Sequence, residues 1–198
     1  MNVLILGTIP SPLRPIIDSD DCHCIEHSES FDFEFLRRND IDFAVSYRYR
    51  HMVDRSAIEL LKGNIINLHI SLLPWNRGAD PNLWSFLENT PKGVSIHFMD
   101  KGLDTGDIIS QKGIRFECDS ETLASTYYKL NYEIIELFRL HWPLIKVGRF
   151  DRRKQPPGGT HHRLVDKEPY RHLFADQGWN TPVASLVGKA LNNSMKAT

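Results

Sequence analysis

Short apolar runs that alternate with helix-like segments constrain the fold of this chain more than any other feature. The apolar runs cover residues 3–6, 41–46 and 66–70, and segments of helical character cover 31–39 and 54–61 between them. This alternation is typical of an α/β fold with a mostly parallel sheet. Ligands of such sheets bind at the carboxyl ends of the strands. The sequence therefore predicts that the loops after these runs lie on one edge of the sheet and form a ligand-binding site.

Polar residues interrupt the third apolar run with a spacing of two. Asn67 and His69 alternate with Ile66, Leu68 and Ile70. Because strand side chains alternate between faces, the amide and the imidazole are predicted to lie on one face at a strand end. Spacing alone leaves two interpretations open, a functional site or two side chains that satisfy local backbone groups.

A second loop that carries an ionisable side chain lies between two later apolar runs. It spans residues 101–107, carries Asp104, and contains two glycines that permit a tight path or a close approach to a ligand. If both loops open on one sheet edge, Asp104 and the Asn67–His69 pair converge there.

The two segments together closely resemble one enzyme family. The motifs are Asn-x-His-x-Ser-Leu-Leu-Pro-x-x-Arg-Gly from Asn67, and Gly-Val-x-Ile-x-x-Met-Asp-x-Gly-Leu-Asp-Thr-Gly-Asp-Ile from Gly93. They are similar to those of the formyltransferases that use 10-formyltetrahydrofolate. The resemblance implies a Rossmann-like sheet flanked by helices, 10-formyltetrahydrofolate as co-substrate, no metal, and a catalytic trio at Asn67, His69 and Asp104.

The chemistry of formyl transfer agrees with these three residue types. A neutral amine attacks the formyl carbon and creates an oxyanion, to which the Asn67 amide is suited to donate. His69 is suited to move the proton from the amine to the departing folate nitrogen, since imidazole titrates near neutrality. Asp104 either orients His69 and stabilises its charged form or accepts a proton through water, and the sequence leaves both roles open.

The resemblance also predicts where the folate binds. The loop after the second apolar run holds the pterin ring in this family, and the alternative for this basic stretch is a solvated turn. Further folate contacts are expected around the Asp104 loop. The predicted folate-binding residues are Tyr49, Arg50, His51, Met52, Asp100, Gly102 and Leu103.

Acceptor contacts are predicted in two proline-containing loops. Ser11 and Arg14 can bind a phosphate by charge-assisted hydrogen bonds, or they belong to a plain surface turn. Trp75 can stack on a base, a sugar or the pterin. Asn76 and Arg77 either hold the acceptor's hydroxyl or phosphate groups or tie the loop down.

Charge and hydropathy narrow the possible partners. Lys and Arg total 24 against 25 Asp and Glu, and no block of like charge occurs, so neither nucleic acid nor an anionic membrane is expected as a partner. No apolar run approaches the ~20 residues that span a bilayer. The first residues lack the pattern of a signal peptide, and we expect a cytoplasmic protein.

The second half of the chain is predicted to complete the sheet and add a short extension. Strands are expected at 94–99 and 108–116, with His97 as a structural histidine, and a long amphipathic helix follows over 123–141. From Gly148 the chain becomes polar and rich in Pro and Gly. We predict a catalytic domain over 1–147 and a loop-rich extension over 148–198 with a helix around 182–191.

The family contains several activities, which differ in the amine that accepts the formyl group. The chain has no counterpart of the β-barrel that follows the catalytic domain in tRNA formyltransferases. The loops at 10–15 and 75–78 differ from those of glycinamide ribonucleotide formyltransferase. The expected acceptor is therefore an amino-deoxy sugar on a nucleotide diphosphate, used for surface glycans such as lipopolysaccharide O-antigen, by an enzyme that resembles its relatives in being a homodimer. The alternatives are a purine-synthesis enzyme and a non-catalytic folate- or nucleotide-binding module.

Overall fold

A computed structural model describes residues 1–18 and 21–191 of the 198-residue chain. The strands are β1 (Asn2–Gly7), β2 (His23–His27), β3 (Phe43–Tyr47), β4 (Ile65–His69), β5 (Arg77–Gly78), β6 (Gly93–Phe98), β7 (Ile108–Gly113) and β8 (His161–His162). The α-helices are α1 (Arg14–Ile17), α2 (Phe33–Arg38), α3 (Arg55–Leu60), α4 (Pro81–Leu87) and α5 (Leu123–Ile145). Short 3-10 helices span Cys118–Ser120, Leu164–Leu173, Gly178–Asn180 and Val183–Ser185.

Six strands form one sheet in the order β2-β1-β3-β4-β6-β7. The pairings β1–β2, β1–β3 and β3–β4 are parallel, which confirms the predicted α/β fold with a mostly parallel sheet. Gly7 pairs with Tyr47, and Ser46 pairs with Asn67. The carboxyl ends of β1, β3 and β4 therefore lie side by side, as the strand–helix alternation predicts.

The central strands are apolar because both faces of the sheet are covered. Residues 3–6 of β1 are at most 1% exposed, and every residue of β3 is buried. Gly7 ends β1 at a φ of +141°, where an added Cβ would lie 1.9 Å from the carbonyl oxygen of Tyr47. Only glycine fits at this close approach to the Tyr47 carbonyl oxygen, and β1 ends at this residue.

The chain separates into two compact units, each built from discontinuous segments. Among the described residues, the first comprises Met1–His69, Ile96–Ser110 and Ile134–Gln155, and the second comprises Ile70–Ser95, Gln111–Glu133 and 156–191. The first unit contains a core of Leu4, Leu6, Leu36, Ala44, Val53, Ala57, Leu61 and Ile65. The second contains a core of Leu83, Trp84, Phe86, Leu87, Leu123, Val183, Leu186 and Ala190.

The C-terminal quarter differs from its prediction. The helix expected around 182–191 corresponds to the short 3-10 helix Val183–Ser185, which turns follow up to residue 190. The 3-10 helix Leu164–Leu173 has no counterpart in the prediction. The proposed domain boundary after residue 147 stays a prediction, although residues 134–155 group with the first unit. Among the described residues, none of the helices has the length and apolar character that a membrane span requires.

Candidate active site

Asn67, His69 and Asp104 meet at the carboxyl end of β4. The amide of Asn67 donates a hydrogen bond of 3.1 Å to Oδ1 of Asp104. Nδ1 of His69 lies 3.7 Å from Oδ2 of the same carboxylate, within ion-pair range but longer than a hydrogen bond. The His69 and Asp104 side chains are 7% and 12% exposed. The convergence expected from the two motifs is therefore present in the structure.

The loop that carries Asp104 has an organised backbone. Oδ1 of Asp100 accepts hydrogen bonds from the Gly102 N–H (2.9 Å) and from the Thr105 hydroxyl (2.6 Å), so that the Asp100 side chain closes the loop on itself. Asp104 adopts a φ of +51°, in the left-handed region that costs free energy for residues other than glycine. Backbone strain at this residue is held by its surroundings, a pattern that is common at functional sites.

His97 of β6 is the site residue that the sequence analysis assigned to structure alone. Its Nε2 lies 3.4 Å from Oδ1 of Asp104 and 3.4 Å from Nδ2 of Asn67. Its Nδ1 lies 2.8 Å from the carbonyl oxygen of Phe98, which can only accept, so Nδ1 carries the hydrogen. The imidazole rings of His97 and His69 meet edge to face at 6.1 Å. The signal that could have found His97 is the adjacency of β4 and β6, which the sequence alone does not give.

The cluster provides an amide donor, two imidazoles and a carboxylate with little exposure to solvent. Such a set can donate to a developing oxyanion, move a proton and stabilise an imidazolium. Among residues 1–18 and 21–191, no group of three or more His, Cys, Asp or Glu side chains is arranged to hold a metal ion.

The predicted folate loop after β3 begins next to the site strand. The hydroxyl of Tyr49 donates to the Glu29 carbonyl oxygen (2.6 Å), and burial raises the pKa of this phenol. The Tyr49 and His51 rings lie 5.3 Å apart. Arg50 and His51 are exposed, and the Met52 side chain is 80% exposed. The folate contacts predicted for these residues remain predictions, and Met52 is the one that presents most apolar surface to a ligand.

The remaining predicted folate residues lie in the Asp104 loop. Asp100 and Gly102 are exposed, and Leu103 is 43% exposed. Because the Asp100 carboxylate already holds the loop, its predicted contact with folate would run through the backbone or the second carboxylate oxygen. The contact of Leu103 with a pterin ring stays a prediction, which its exposed apolar side chain allows.

Ser11 and Arg14 form a local network around a carboxylate. The Ser11 N–H donates to Glu26 (2.5 Å), and the Arg14 guanidinium donates to the other Glu26 oxygen (3.1 Å). Arg14 also lies 3.6 Å from Asp18. These contacts correspond to the surface-turn alternative, since Glu26 and Asp18 already neutralise the cation that a phosphate would need. Phosphate binding by Ser11 and Arg14 stays a prediction.

In the second unit, Trp75, Asn76 and Arg77 follow the site strand in sequence. Asn76 is fully buried, donates to Thr90 (2.8 Å) and accepts from the Thr160 hydroxyl (3.2 Å). Arg77 pairs with Thr160 and Gly158 of the segment around β8. The contacts of Asn76 and Arg77 favour the interpretation that they tie the loop down, whereas Trp75 is half-buried and retains surface for a ligand.

The second unit also contains a cavity of about 490 Å³. The Trp84 and His162 rings stack at 3.8 Å on its wall, and Nε2 of His162 lies 3.2 Å from Oε2 of Glu88. None of the predicted site residues lines this cavity. Cavity size therefore does not identify the candidate site, which is defined by the convergence of Asn67, His69, His97 and Asp104.

Comparison with known proteins gives one matching sequence family. The family described as formyl transferase matches residues 25–136, more than half of the chain. The methionyl-tRNA formyltransferase of Agathobacter rectalis is 31% identical over 142 residues, which cover 71% of this chain and 46% of that protein. The chain spans about half the length of the curated relatives that it matches first.

Solved structures are similar to this protein along almost the whole chain. The formyltransferase PseJ from Anoxybacillus kamchatkensis, in complex with UDP-4,6-dideoxy-4-formamido-L-AltNAc and tetrahydrofolate, is 45% identical with a TM-score of 0.91. The alignment covers 96% of this chain and 100% of that chain. A 4-N formyltransferase from Francisella tularensis is 22% identical with a TM-score of 0.76, covering 96% and 87% of the two chains, and shows the shared fold.

Proposed function

The chain belongs to the formyl transferase family, and from that premise we propose that it transfers the formyl group of 10-formyltetrahydrofolate to the primary amine of a nucleotide-linked amino-deoxy sugar. The observation that carries this proposal is the 45% identity to PseJ over the full length of that protein, whose crystal holds a formamido sugar on UDP together with tetrahydrofolate. Those two molecules are the products that such a transfer would release.

The chemistry of the neighbour's ligand narrows the acceptor class. In PseJ the formamido group is on C4 of a 4,6-dideoxy sugar attached to UDP. We propose the corresponding 4-amino-4,6-dideoxy sugar on UDP as the acceptor of this chain. The reaction would form the C–N bond of the formamide and release tetrahydrofolate.

The site geometry supports a role for each member of the trio. The amine lone pair attacks the formyl carbon, and an N–H of Asn67 donates to the oxyanion that forms. His69 accepts a proton from the attacking amine and returns one to N10 of the departing tetrahydrofolate. Asp104 keeps the Asn67 amide in place through the 3.1 Å hydrogen bond and faces the His69 ring, whose charged form it stabilises.

The folate and acceptor contacts are part of the same proposal. We assign the folate to the surface formed by the Tyr49–Met52 loop and the Asp104 loop, because both adjoin the carboxyl-terminal edge of the sheet. Trp75 is the strongest of the predicted acceptor contacts, because it is half-buried while Asn76 is fully buried.

An acceptor panel tests the function. Release of tetrahydrofolate from 10-formyltetrahydrofolate is followed by absorbance, with 3- and 4-amino-6-deoxy sugars on UDP, dTDP and GDP and with glycinamide ribonucleotide. The expected result is turnover with a UDP-linked 4-amino sugar and its formamide as the product by mass spectrometry. Turnover with glycinamide ribonucleotide alone would place the chain in purine synthesis. Folate binding without turnover of any amine would favour the non-catalytic module.

The state of the cysteines supports a proposal about the cellular setting. The three cysteines Cys22, Cys24 and Cys118 are free thiols, which suits a reducing compartment. We propose that the chain acts in the cytoplasm, on a sugar destined for surface glycans such as lipopolysaccharide O-antigen.

We also propose that the chain forms a homodimer. Aromatic and aliphatic residues of α5 lie four or eight residues apart and remain exposed: Tyr128 (71%), Tyr132 (66%), Leu140 (71%) and Leu144 (48%). In a two-fold antiparallel pair of α5 helices centred on Glu136, Tyr128 would oppose Leu144 and Tyr132 would oppose Leu140.

Light scattering after size exclusion tests the dimer. The expected result is a dimer for the wild type, a monomer for Tyr132→Glu, and a dimer for Leu164→Glu, a matched change at another exposed apolar residue (65%). A monomeric wild type at micromolar concentration would contradict the proposal.

A further inference from the structure

Residues 152–155 lie against the loop that carries Asp104, although they are far from it in sequence. The Ile108 N–H donates to the Arg153 carbonyl oxygen (2.7 Å), and the Arg153 N–H donates back to Ile108 (3.0 Å). This reciprocal pair is an antiparallel bridge at the start of β7. The segment therefore continues the sheet's hydrogen bonding at the point where the Asp104 loop ends.

Arg152 attaches the segment to both ends of the loop. Its guanidinium donates to Oδ2 of Asp107 (3.2 Å) and lies 3.9 Å from the centroid of the Phe98 ring. Phe98 is the last residue of β6, and its N–H donates to the Asp107 carbonyl oxygen (2.9 Å). A cation stacked on an aromatic face and paired with a carboxylate fixes the two ends relative to each other.

Gln155 contacts the backbone of Asp104 directly. Its side-chain Nε2 donates to the carbonyl oxygen of Asp104 (2.8 Å) and to that of Gly106 (2.9 Å). Both amide hydrogens are thus used on carbonyls of one tight turn. Asp104 has a φ of +51°, and a residue in this region relaxes unless its surroundings hold it. The Gln155 amide therefore contributes to holding the Asp104 carbonyl in that conformation.

We propose that Gln155 is a positioning residue for the reaction, which keeps the Asp104 carboxylate in contact with Asn67, His69 and His97. The proposal rests on the proposed function, and it adds a residue from outside the family's catalytic motifs. Without the two hydrogen bonds, the Asp104 backbone can rotate toward an ordinary conformation, and its carboxylate leaves the cluster. Displacements of about 1 Å cost up to ~10²-fold in rate when they misplace reacting groups.

Gln155→Met and Gln155→Glu are the informative variants. Methionine has a similar length but donates no hydrogen bond, and an ionised glutamate would place an anion against two carbonyl oxygens. We expect kcat to fall about 10- to 100-fold in Gln155→Met and by more in Gln155→Glu. The KM for the folate should change by less than about 3-fold. Lys154→Ala, a change at the exposed neighbouring residue, is the matched control and should retain wild-type kcat. A wild-type kcat in Gln155→Met overturns the proposal.

A double-mutant cycle separates positioning from a general loss of stability. If Gln155 acts through Asp104, adding Gln155→Met to Asp104→Asn should cost little further activity, because the group being positioned is already removed. An equal loss of kcat in both backgrounds overturns the proposal, since it would mean that Gln155 acts independently of the carboxylate.

Hydrogen–deuterium exchange provides a readout that does not depend on the proposed function. In the protein without substrates, we expect the amides of residues 104–108 to exchange at least ~10-fold faster in Gln155→Met than in the wild type or Lys154→Ala. Unchanged exchange contradicts the proposal even if the enzyme is active. Faster exchange in a protein that turns over no acceptor would support the role of Gln155 in holding the loop while the proposed activity fails.

Discussion

At the residue scale, the site depends on which side chains donate hydrogen bonds and which accept them. The Asn67 amide must keep an N–H for the oxyanion, yet its Nδ2 faces both Asp104 and His97. A neutral His97 accepts from Asn67 through Nε2, whereas a charged His97 donates to Asp104 and leaves the second Asn67 hydrogen available. In either state the His97 ring limits how Asn67 and Asp104 can turn.

Removal of the trio side chains should show their roles. We expect Asn67→Ala, His69→Ala and Asp104→Ala each to reduce kcat by at least ~10²-fold, since each removes a group that stabilises or protonates the transition state. Steady-state kinetics with the accepted sugar measures the loss, and thermal unfolding checks that the fold is intact. Near wild-type turnover in any of the three would remove that residue from the mechanism.

His97 should matter through orientation. We expect His97→Leu to lower kcat about 10-fold, because Asn67 and Asp104 lose a common neighbour and a polar cluster is left incomplete. His97→Gln should recover part of the loss, since a side-chain amide can both donate and accept. Equal turnover of the leucine, glutamine and wild-type proteins would return His97 to the purely structural role that its mid-strand position predicts.

At the scale of elements, the sequence predicted regular structure well where burial imposes a pattern. The apolar runs identified β1, β3 and β4 to within two residues, because strands covered on both faces consist mostly of apolar residues. The 3-10 helix Leu164–Leu173 was not predicted, because it contains Pro169 and is stabilised by local pairs such as Arg163–Asp166 rather than by a long apolar stripe. Likewise, motifs located Asn67, His69 and Asp104, whereas His97 and Gln155 depend on which elements become neighbours in space.

The loop between β6 and β7 should tolerate almost no added volume at Gly106. A Cβ there would lie 1.9 Å from the Phe98 carbonyl oxygen, so the loop must move, whereas a Cβ at Gly113 has nothing within 4 Å. We expect Gly106→Ala to lower kcat by at least about 10-fold and Gly113→Ala to keep full activity. Kinetics and melting temperature of the pair provide the test, and an active, stable Gly106→Ala protein would contradict the tight packing.

Glu121, just before α5, should give the protein an acid-sensitive contribution to stability. Hydrogen bonds from Lys129 and then Ser125 hold the pKa of its buried carboxyl below the ordinary value. The unfolded chain therefore binds a proton more readily, and the stabilisation is present above the unfolded pKa of about 4.3 and is lost as pH falls through the folded pKa.

Glu121→Gln isolates this contribution. At pH 7 we expect the variant to be less stable by about 1 kcal/mol, since it loses charge-assisted hydrogen bonds. The difference in the free energy of unfolding should shrink as the pH falls below about 4. Urea unfolding at pH 7 and pH 3.5 measures it, and a difference that stays constant between the two would exclude Glu121 as the titrating group.

At the scale of the whole molecule, neither compact unit is a continuous stretch of chain. The first unit takes residues up to 69, then 96–110, and then 134–155. A cut after residue 147, at the predicted domain boundary, would separate Asp104 from Arg152 and Gln155, which contact its loop. Catalytic competence is therefore expected to require more of the chain than the segment that contains the catalytic motifs.

Because the first unit is built from separate segments of the chain, its contacts form in a fixed order during protein synthesis. The ribosome releases the chain from its N-terminus, and Gln155 is made 51 residues after the Asp104 that it holds. A nascent chain that has emerged only through α5 possesses every member of the trio but lacks the amide that fixes the Asp104 turn. The polypeptide thus acquires the side chains of the trio before it acquires the contact that fixes the Asp104 turn.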